Sequence, residues 1–303
     1  MAWDFLRELE KRGPRSSDNV VSLAAARAYC AHVAKSHYEN FTVVSLLLPR
    51  RLTRHFHAVY AYCRWSDDLA DETGGGQEAL DLIAWWRDEL LACYYGTPRH
   101  PVMIALRETI RRFNITPQPF LDLLIAFEQD QCVKRYETFD QLVGYCQNSA
   151  NPVGRLVLYL FECYTEEAAP LSDEVCTGLQ LANFWQDVSR DLDIGRVYLP
   201  AEDRQRFGYT DEDLEARCCT PAFRELMRYE VDRARGYFDR GAKLLPLLTC
   251  EARIDVELFI RGGEAILRAI ERANYDVWTA RPEVTKWEKA KLLLGSLARR
   301  SLG

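Results

Sequence analysis

Apolar residues recur along this chain at helical spacing and almost nowhere alternate. Val, Ile and Thr do not gather in period-two runs, so strands find little support and the chain reads as helix after helix. Residues Ser22 to Tyr38 are apolar on one helical face, with Ser22 placed to cap. Pro49 stands where a helix from about Arg50 to Ala70 begins, a place proline suits because first-turn N–H groups lack an intrahelical acceptor. Gly74-Gly75-Gly76 breaks the pattern, a helix follows from Gln77 to Tyr95, and Gly96 sits at its C-terminal cap. Pro101 and Pro117 open two more. Thr138-Phe139-Asp140-Gln141 matches a capping box for a helix through Tyr145, which Asn151-Pro152 kinks or interrupts before Val153 to Cys163 continues. Ser172 is expected to begin a long helix reaching about Leu192, with Gly195 and Pro200 framing its end. Thr210 and Thr220 start the next two, and amphipathic stretches then cover Arg224 to Leu248, Glu251 to Trp278 and Glu283 to Arg300. No Pro-, Gly- or Ser-rich linker, low-complexity tract or short repeat divides the chain. The prediction is one all-α domain over residues 1–303, with helices around a central active-site cavity and residues 1–20 as an N-terminal extension.

Composition narrows the function classes. At 303 residues and 48% hydrophobic, the chain is long enough to bury a sizeable core. Its formal net charge of −6 argues against a broad basic field, so no nucleic-acid partner is expected. The ten cysteines include no C-x-x-C pair and fall mostly at apolar helical positions, which reads as buried small hydrophobes in a reducing compartment rather than a zinc site or a disulfide framework. The amphipathic, charged N-terminus lacks the apolar core of a signal peptide, and no stretch approaches the roughly 20 apolar residues that span a bilayer. A cytoplasmic protein is expected. The stretch Lys286 to Arg300 fits either a solvated face or peripheral contact with the inner face of the membrane.

Two polar stripes interrupt otherwise core-seeking helices. Tyr60, Arg64, Asp67 and Asp71 fall within an arc of roughly 60° at 3.6 residues per turn. Gln180, Asn183, Asp187 and Asp191 fall within about 80°. Tyr62, Cys63 and Trp65 surround the first stripe; Leu181, Phe184 and Trp185 surround the second. Each pair of aspartates lies near the predicted C-terminal end of its helix, where negative charge opposes the macrodipole. A cation would relieve that cost, and Mg²⁺ bound through one or two carboxylates plus substrate phosphates is the natural candidate. A single D-x-x-x-D is common as a solvated helix face; two with matching spacing amid aromatics are not.

These residues resemble a known family, the squalene and phytoene synthases. The likeness rests on Tyr60-Ala61-Tyr62-Cys63-Arg64-Trp65-Ser66-Asp67-Asp68-Leu69-Ala70-Asp71-Glu72 and on Gln180-Leu181-Ala182-Asn183-Phe184-Trp185-Gln186-Asp187-Val188-Ser189-Arg190-Asp191, followed by Gly195-Arg196-Val197-Tyr198-Leu199-Pro200. It runs from about Ala24 to Leu294. The resemblance implies an all-α isoprenoid synthase fold, several Mg²⁺ ions bound with an isoprenoid diphosphate substrate, and Asp67, Asp71, Asn183, Asp187 and Asp191 as metal ligands. It makes His37, Phe41, Tyr60, Arg64, Gln180 and Gln186 substrate contacts, with Tyr60 and Arg64 also in catalytic roles.

One branch is nearest. Glu39 to Pro49 and Tyr145-Cys146-Gln147-Asn148-Ser149-Ala150-Asn151-Pro152-Val153-Gly154 resemble the hydroxysqualene synthase of bacterial hopanoid biosynthesis. Complete synthases of the family carry a tyrosine shortly after the Tyr-Cys pair, then Val-Ala-Gly. Gln147, Asn148 and Asn151-Pro152 replace that pattern here, which puts the first condensation in doubt. The resemblance then implies ionisation and rearrangement of presqualene diphosphate, with water capture to give hydroxysqualene and no need of NADPH. Asn148 and Asn151 are candidates to position that water, and other enzymes of the pathway are candidate partners. Phe41, Tyr60, Phe127 and Phe184 are candidates to face the cation, although each also suits plain core packing. Two other readings stay open: a complete squalene or phytoene synthase, and a non-catalytic relative acting as an assembly or lipid-binding factor.

Overall fold

Hydroxyl side chains and prolines start most of the described helices, as the pattern demands. In a computed structural model of the chain, the described residues are 3–16, 21–36 and 49–285, together with Trp287, Glu288, Ala290, Lys291 and Gly295. The helices are α1 (Phe5–Arg12), α2 (Leu23–Ser36), α3 (Arg50–Asp71), α4 (Gly76–Tyr95), α5 (Pro101–Phe113), α6 (Gln118–Cys132), α7 (Phe139–Ser149), α8 (Asn151–Leu160), α9 (Ala168–Asp193), α10 (Ala201–Arg206), α11 (Asp211–Glu215), α12 (Pro221–Gly241) and α13 (Cys250–Arg272), with a 3₁₀ turn at Ala242–Leu247. The Thr138 capping box is present: its hydroxyl accepts from the Gln141 N–H, and the Gln141 side chain accepts from the Thr138 N–H. Ser22 accepts from the Ala25 N–H at 3.3 Å. No strand occurs among the described residues. A parallel bridge joins Arg135 to Val197.

Three boundaries depart from expectation. The long helix α9 begins at Ala168, where Thr165 Oγ1 accepts from the Ala168 N–H at 3.0 Å; Ser172 is inside it and buried. The stretch from Arg224 to Leu248 does not stay α-helical, because Pro246 lacks the N–H that an α-helix interior needs. The following stretch ends at Arg272 rather than Trp278, and Asn274 and Tyr275 turn the chain in the left-handed region. His37 and Phe41 lie outside the described residues, as does most of the C-terminal amphipathic stretch. Among the described residues, no helix is long and apolar enough to cross a membrane.

The described chain divides into two compact units, Met1–Cys132 with Leu156–Glu162, and Val133–Arg155 with Cys163–Gly303. In the first, α3 packs against α2, α4, α5 and α6. Its buried stripe of Leu52, Phe56, Val59, Tyr62, Trp65, Ser66 and Leu69 steps by three and four residues, the spacing of one helix face. Trp65 stacks on Trp86 with ring centroids 5.4 Å apart, and Tyr62 stacks on the same Trp86 at 5.9 Å. These rings keep polar edges satisfied. Trp86 Nε1 donates to Ser66 Oγ at 3.0 Å, Trp65 Nε1 to the Tyr29 hydroxyl at 3.2 Å, and the Tyr62 hydroxyl to the Phe120 carbonyl at 2.9 Å.

In the second unit α9 is the axis, packed by α12, α13, the 3₁₀ turn and α7. The close approach depends on missing side chains. A Cβ on Gly178 of α9 would stand 3.0 Å from the Phe238 ring, and one on Gly263 of α13 would overlap that ring outright. Gly241 sits as tightly over Val175, where a Cβ would come within 2.6 Å of Cγ2. Phe238 itself is fully buried. Gly154 likewise lets α8 touch Ser172 and Cys176 of α9. All ten cysteines are free; Cys30, Cys93, Cys146 and Cys163 are buried as expected, whereas Cys132 and Cys250 are exposed.

A buried ionic group braces the same unit. Arg233 donates to Asp203 at 2.8 and 3.2 Å and reaches Glu230 at 3.3 Å, with its guanidinium over the Phe139 ring at 3.8 Å. Glu230 is fully buried and Asp203 nearly so. Burial pushes the Glu230 carboxyl well above its usual range; Arg233 opposes this and the Asp203 charge adds to it.

Two outcomes follow from this packing. Gly263→Ala should lower stability by about 1–3 kcal/mol, the range for overpacking a tight core, despite the gain of about 1 kcal/mol in helix propensity; denaturant unfolding measures it. For Glu230, the folded state keeps a proton that the unfolded chain releases above about pH 4.3. Its contribution is therefore full below that pH and declines as pH rises towards the raised folded value. Glu230→Gln, which cannot ionise, should flatten the decline in melting temperature across that window.

Candidate active site

The first motif lies on the last three turns of α3, which the Trp65 and Tyr62 packing holds in place. Arg64 is its hub. One terminal nitrogen pairs with Asp67 at 3.0 Å and the other with Asp68 one turn on. The Asp67 side chain is 41% exposed while that of Asp68 is 0% exposed, so one guanidinium ties a solvent-side carboxylate to a buried one. Asp68 also accepts a hydrogen bond from Trp3 Nε1 at 3.0 Å. The Arg64 Nε–H is buried and has no hydrogen-bond partner among the described residues. Asp71, at the helix end, is exposed. Burial raises the half-buried Tyr60 phenol above its ordinary value; Arg64 opposes this and Asp67 and Asp68 add to it, so Tyr60 is neutral at physiological pH.

The second motif lies at the C-terminal end of α9. Gly195, at φ +75°, ends the helix in a conformation that L side chains rarely adopt, and the backbone carbonyl of Asp191 accepts from Arg196 N at 2.8 Å. Asn183 Nδ2 donates to Asp187 Oδ2 at 2.7 Å. Arg281 binds Asp187 with both ends of its fork, Nε to Oδ1 at 2.6 Å and Nη2 to Oδ2 at 2.8 Å. The same Nη2 donates to Gln186 Oε1 at 2.8 Å, and Gln186 Nε2 donates to the Pro282 carbonyl at 2.5 Å. Gln186 is buried with its amide thus engaged on both sides, and Gln180 is half-buried one turn before Asn183.

Asp191 carries the clearest electrostatic signature. Burial, and then the charge of Asp187, push its carboxyl up to about 7, while Arg196 and Arg281 pull it down. Two carboxylates one turn apart in a half-buried setting resist being ionised together. A divalent cation would remove that penalty. Among the described residues no three His, Cys, Asp or Glu side chains converge on one point. Each motif carries two aspartates one turn apart, hard oxygen donors of the kind Mg²⁺ takes together with water and phosphate, and one of each pair is engaged by an arginine.

The structure thus brings together Tyr60, Arg64, Asp67 and Asp71 on one helix, and Gln180, Asn183, Asp187 and Asp191 on another. The remaining named residues fall elsewhere. Asn151 is buried at the start of α8, where its Oδ1 accepts from the Thr177 hydroxyl at 2.9 Å. Asn148 is half-buried on α7. Phe184 is buried with one ring face covered by Tyr198, centroids 3.8 Å apart, so core packing accounts for that face. Phe127 is half-buried.

The sequence assigned no role to Asp68 or Trp3, and it gave no sign of the pairing of Arg281 with Asp187. For Asp68 a signal existed: an acid four residues after Arg64, on the side of α3 that carries Trp65 and Leu69, needs a partner. For Arg281, 94 residues from Asp187, no local pattern could supply one.

A family model described as Squalene/phytoene synthase matches residues 34–288. The 15-cis-phytoene synthase of Synechocystis sp. is 30% identical over 292 residues, covering 92% of this chain and 86% of that protein. Among solved structures, squalene synthase HpnC from Alicyclobacillus acidocaldarius is similar at 43% identity and a TM-score of 0.81, covering 84% of this chain and 96% of that one. A dehydrosqualene synthase solved in complex with ligand is similar at 25% identity and a TM-score of 0.82, covering 93% and 98%.

Proposed function

Because this chain belongs to the squalene/phytoene synthase family, whose enzymes act on isoprenoid diphosphates, we propose that it ionises presqualene diphosphate and lets water capture the rearranged cation as hydroxysqualene. The 43% identity to squalene synthase HpnC, against 30% to the phytoene synthase, supports the squalene side of the family, and the narrower reading rests on the motif from Tyr145 to Gly154. The departure from the family pattern at Gln147 to Pro152 supports it, since the tyrosine expected there for the first condensation is missing.

The chain's own groups suit that reaction. Asp67 and Asp71 on α3, and Asn183, Asp187 and Asp191 on α9, would hold the Mg²⁺ ions. When bound, Mg²⁺ neutralises charge on the diphosphate and eases its departure. Arg64 has an Nε–H to offer a diphosphate oxygen while its terminal nitrogens stay on Asp67 and Asp68. Arg281 keeps a positive charge beside Asp187, which opposes the raised pKa of Asp191. Tyr60, neutral and half-buried, can donate a hydrogen bond or present its ring to a cationic intermediate without adding a negative charge. Asn151 has its amide oxygen committed to Thr177, so Asn148 is the stronger candidate to orient water. That water adds its oxygen to the carbocation and releases a proton, so no hydride donor is required. We place the reaction in hopanoid biosynthesis, in the cytoplasm or at the inner face of the membrane, where a C30 product would be delivered.

A second reading, a complete synthase joining two prenyl diphosphates head to head, draws on the phytoene synthases among the relatives.

Product analysis with purified protein and Mg²⁺ separates these readings. The expected outcome is hydroxysqualene from presqualene diphosphate, with or without NADPH, and nothing from farnesyl diphosphate. A hydrocarbon formed from farnesyl or geranylgeranyl diphosphate would favour the complete synthase, and no diphosphate release from any of them would favour a non-catalytic relative. In the same assay, Asp67→Asn and Asp187→Asn should each lower kcat by about 10²-fold or more, the scale seen on removing one electrostatic stabiliser of a reaction. Asn148→Ala should reduce the share of alcohol while diphosphate release continues.

A further inference from the structure

The N-terminal helix α1 lies outside the family match, which begins at residue 34. It nevertheless reaches the first motif. Its start is well defined: Asp4 caps it by accepting from the Arg7 N–H at 3.2 Å, and Phe5 is buried with its ring 5.1 Å from that of Trp65 in an edge-on contact. Its far end is held by Arg12, whose guanidinium lies 4.5 Å over the Tyr29 ring and pairs with Glu8 at 3.1 Å. Tyr29 in turn receives the Trp65 indole N–H. Immediately before this helix, Trp3 donates its indole N–H to Asp68, which is fully buried and ion-paired with Arg64.

We infer that α1 is a positioning element for the diphosphate site, acting through a relay from Trp3 to Asp68 to Arg64. A carboxylate taken wholly out of water is costly unless its oxygens are bonded. Trp3 bonds Asp68 Oδ2 while Arg64 bonds Oδ1, so the two oxygens have separate partners. Remove the indole donor, and Asp68 has reason to draw the guanidinium onto both oxygens. That shift pulls Arg64 away from Asp67, the carboxylate on the solvent side, and turns its free Nε–H out of line. Trp3 therefore sets where the Arg64 donor points without touching the substrate. This inference rests on the reading that Arg64 meets a diphosphate.

The test uses full-length protein and inorganic pyrophosphate with Mg²⁺ as the probe, measured by calorimetry, with thermal unfolding alongside. Trp3→Phe keeps an aromatic ring and removes the N–H. Arg12→Gln loosens the same helix at its other end without touching Asp68. The expected result is a roughly 10-fold weaker pyrophosphate affinity for Trp3→Phe, the scale of one hydrogen bond to a charged group, with Arg12→Gln close to wild type and both variants folded. Kinetics with presqualene diphosphate should then show the Trp3→Phe loss mainly in KM. Pyrophosphate binding unchanged in Trp3→Phe would overturn the relay. So would an equal loss in both variants, which would make α1 a packing element alone. If the wild-type protein binds no pyrophosphate, the diphosphate reading itself falls and takes the relay with it; binding by wild type and Trp3→Phe alike sinks the relay and leaves that reading standing.

Discussion

Carboxylate charge held on largely apolar helices has to be answered, and in this protein guanidinium groups answer it. On α3, Arg64 divides itself between an exposed Asp67 and a buried Asp68. On α9, Asp187 takes both ends of the Arg281 fork, and Asn183 adds a third hydrogen bond. The compensation is incomplete where it matters: Asp191 is still pushed up to about 7 by burial and by Asp187.

Rigid packing behind each motif turns these charges into geometry. The polar residues of α3 stand beside the Trp65–Trp86–Tyr62 stack, whose polar atoms are all used internally, so the helix has little freedom to rotate. Helix α9 is held differently. Phe238 wedges between glycines of two helices, and Gly241 lets the end of α12 approach Val175. In both units the motif comes at the end of a long helix whose earlier turns are buried. The carboxylates thus sit on anchored backbone, which costs less to preorganise than a loop would.

Much of this was legible before any coordinates. Spacing alone placed Tyr60, Arg64, Asp67 and Asp71 on one face, and Gln180, Asn183, Asp187 and Asp191 on another. Thr138 and Gln141 foretold a capping box that is present. Other readings stopped at the limit of local information. Pro246 stands inside an amphipathic stretch that otherwise reads as one helix, and α9 begins four residues before Ser172, where Thr165 accepts from the Ala168 N–H. Asn151 is a catalytic candidate in the sequence, and only the fold shows that its amide oxygen accepts from the Thr177 hydroxyl.

Helical period, capping residues and the two aspartate stripes were written in the chain, because each depends on residues within a few positions of one another. The all-α class and the family followed from them. The partners that tune the stripes were decided in three dimensions. Trp3 reaches Asp68 across 65 positions and Arg281 reaches Asp187 across 94, and no periodicity connects residues so far apart. Whether an aspartate is buried, paired or pushed towards neutrality depends on what surrounds it, and those surroundings are assembled by packing rather than by sequence neighbours.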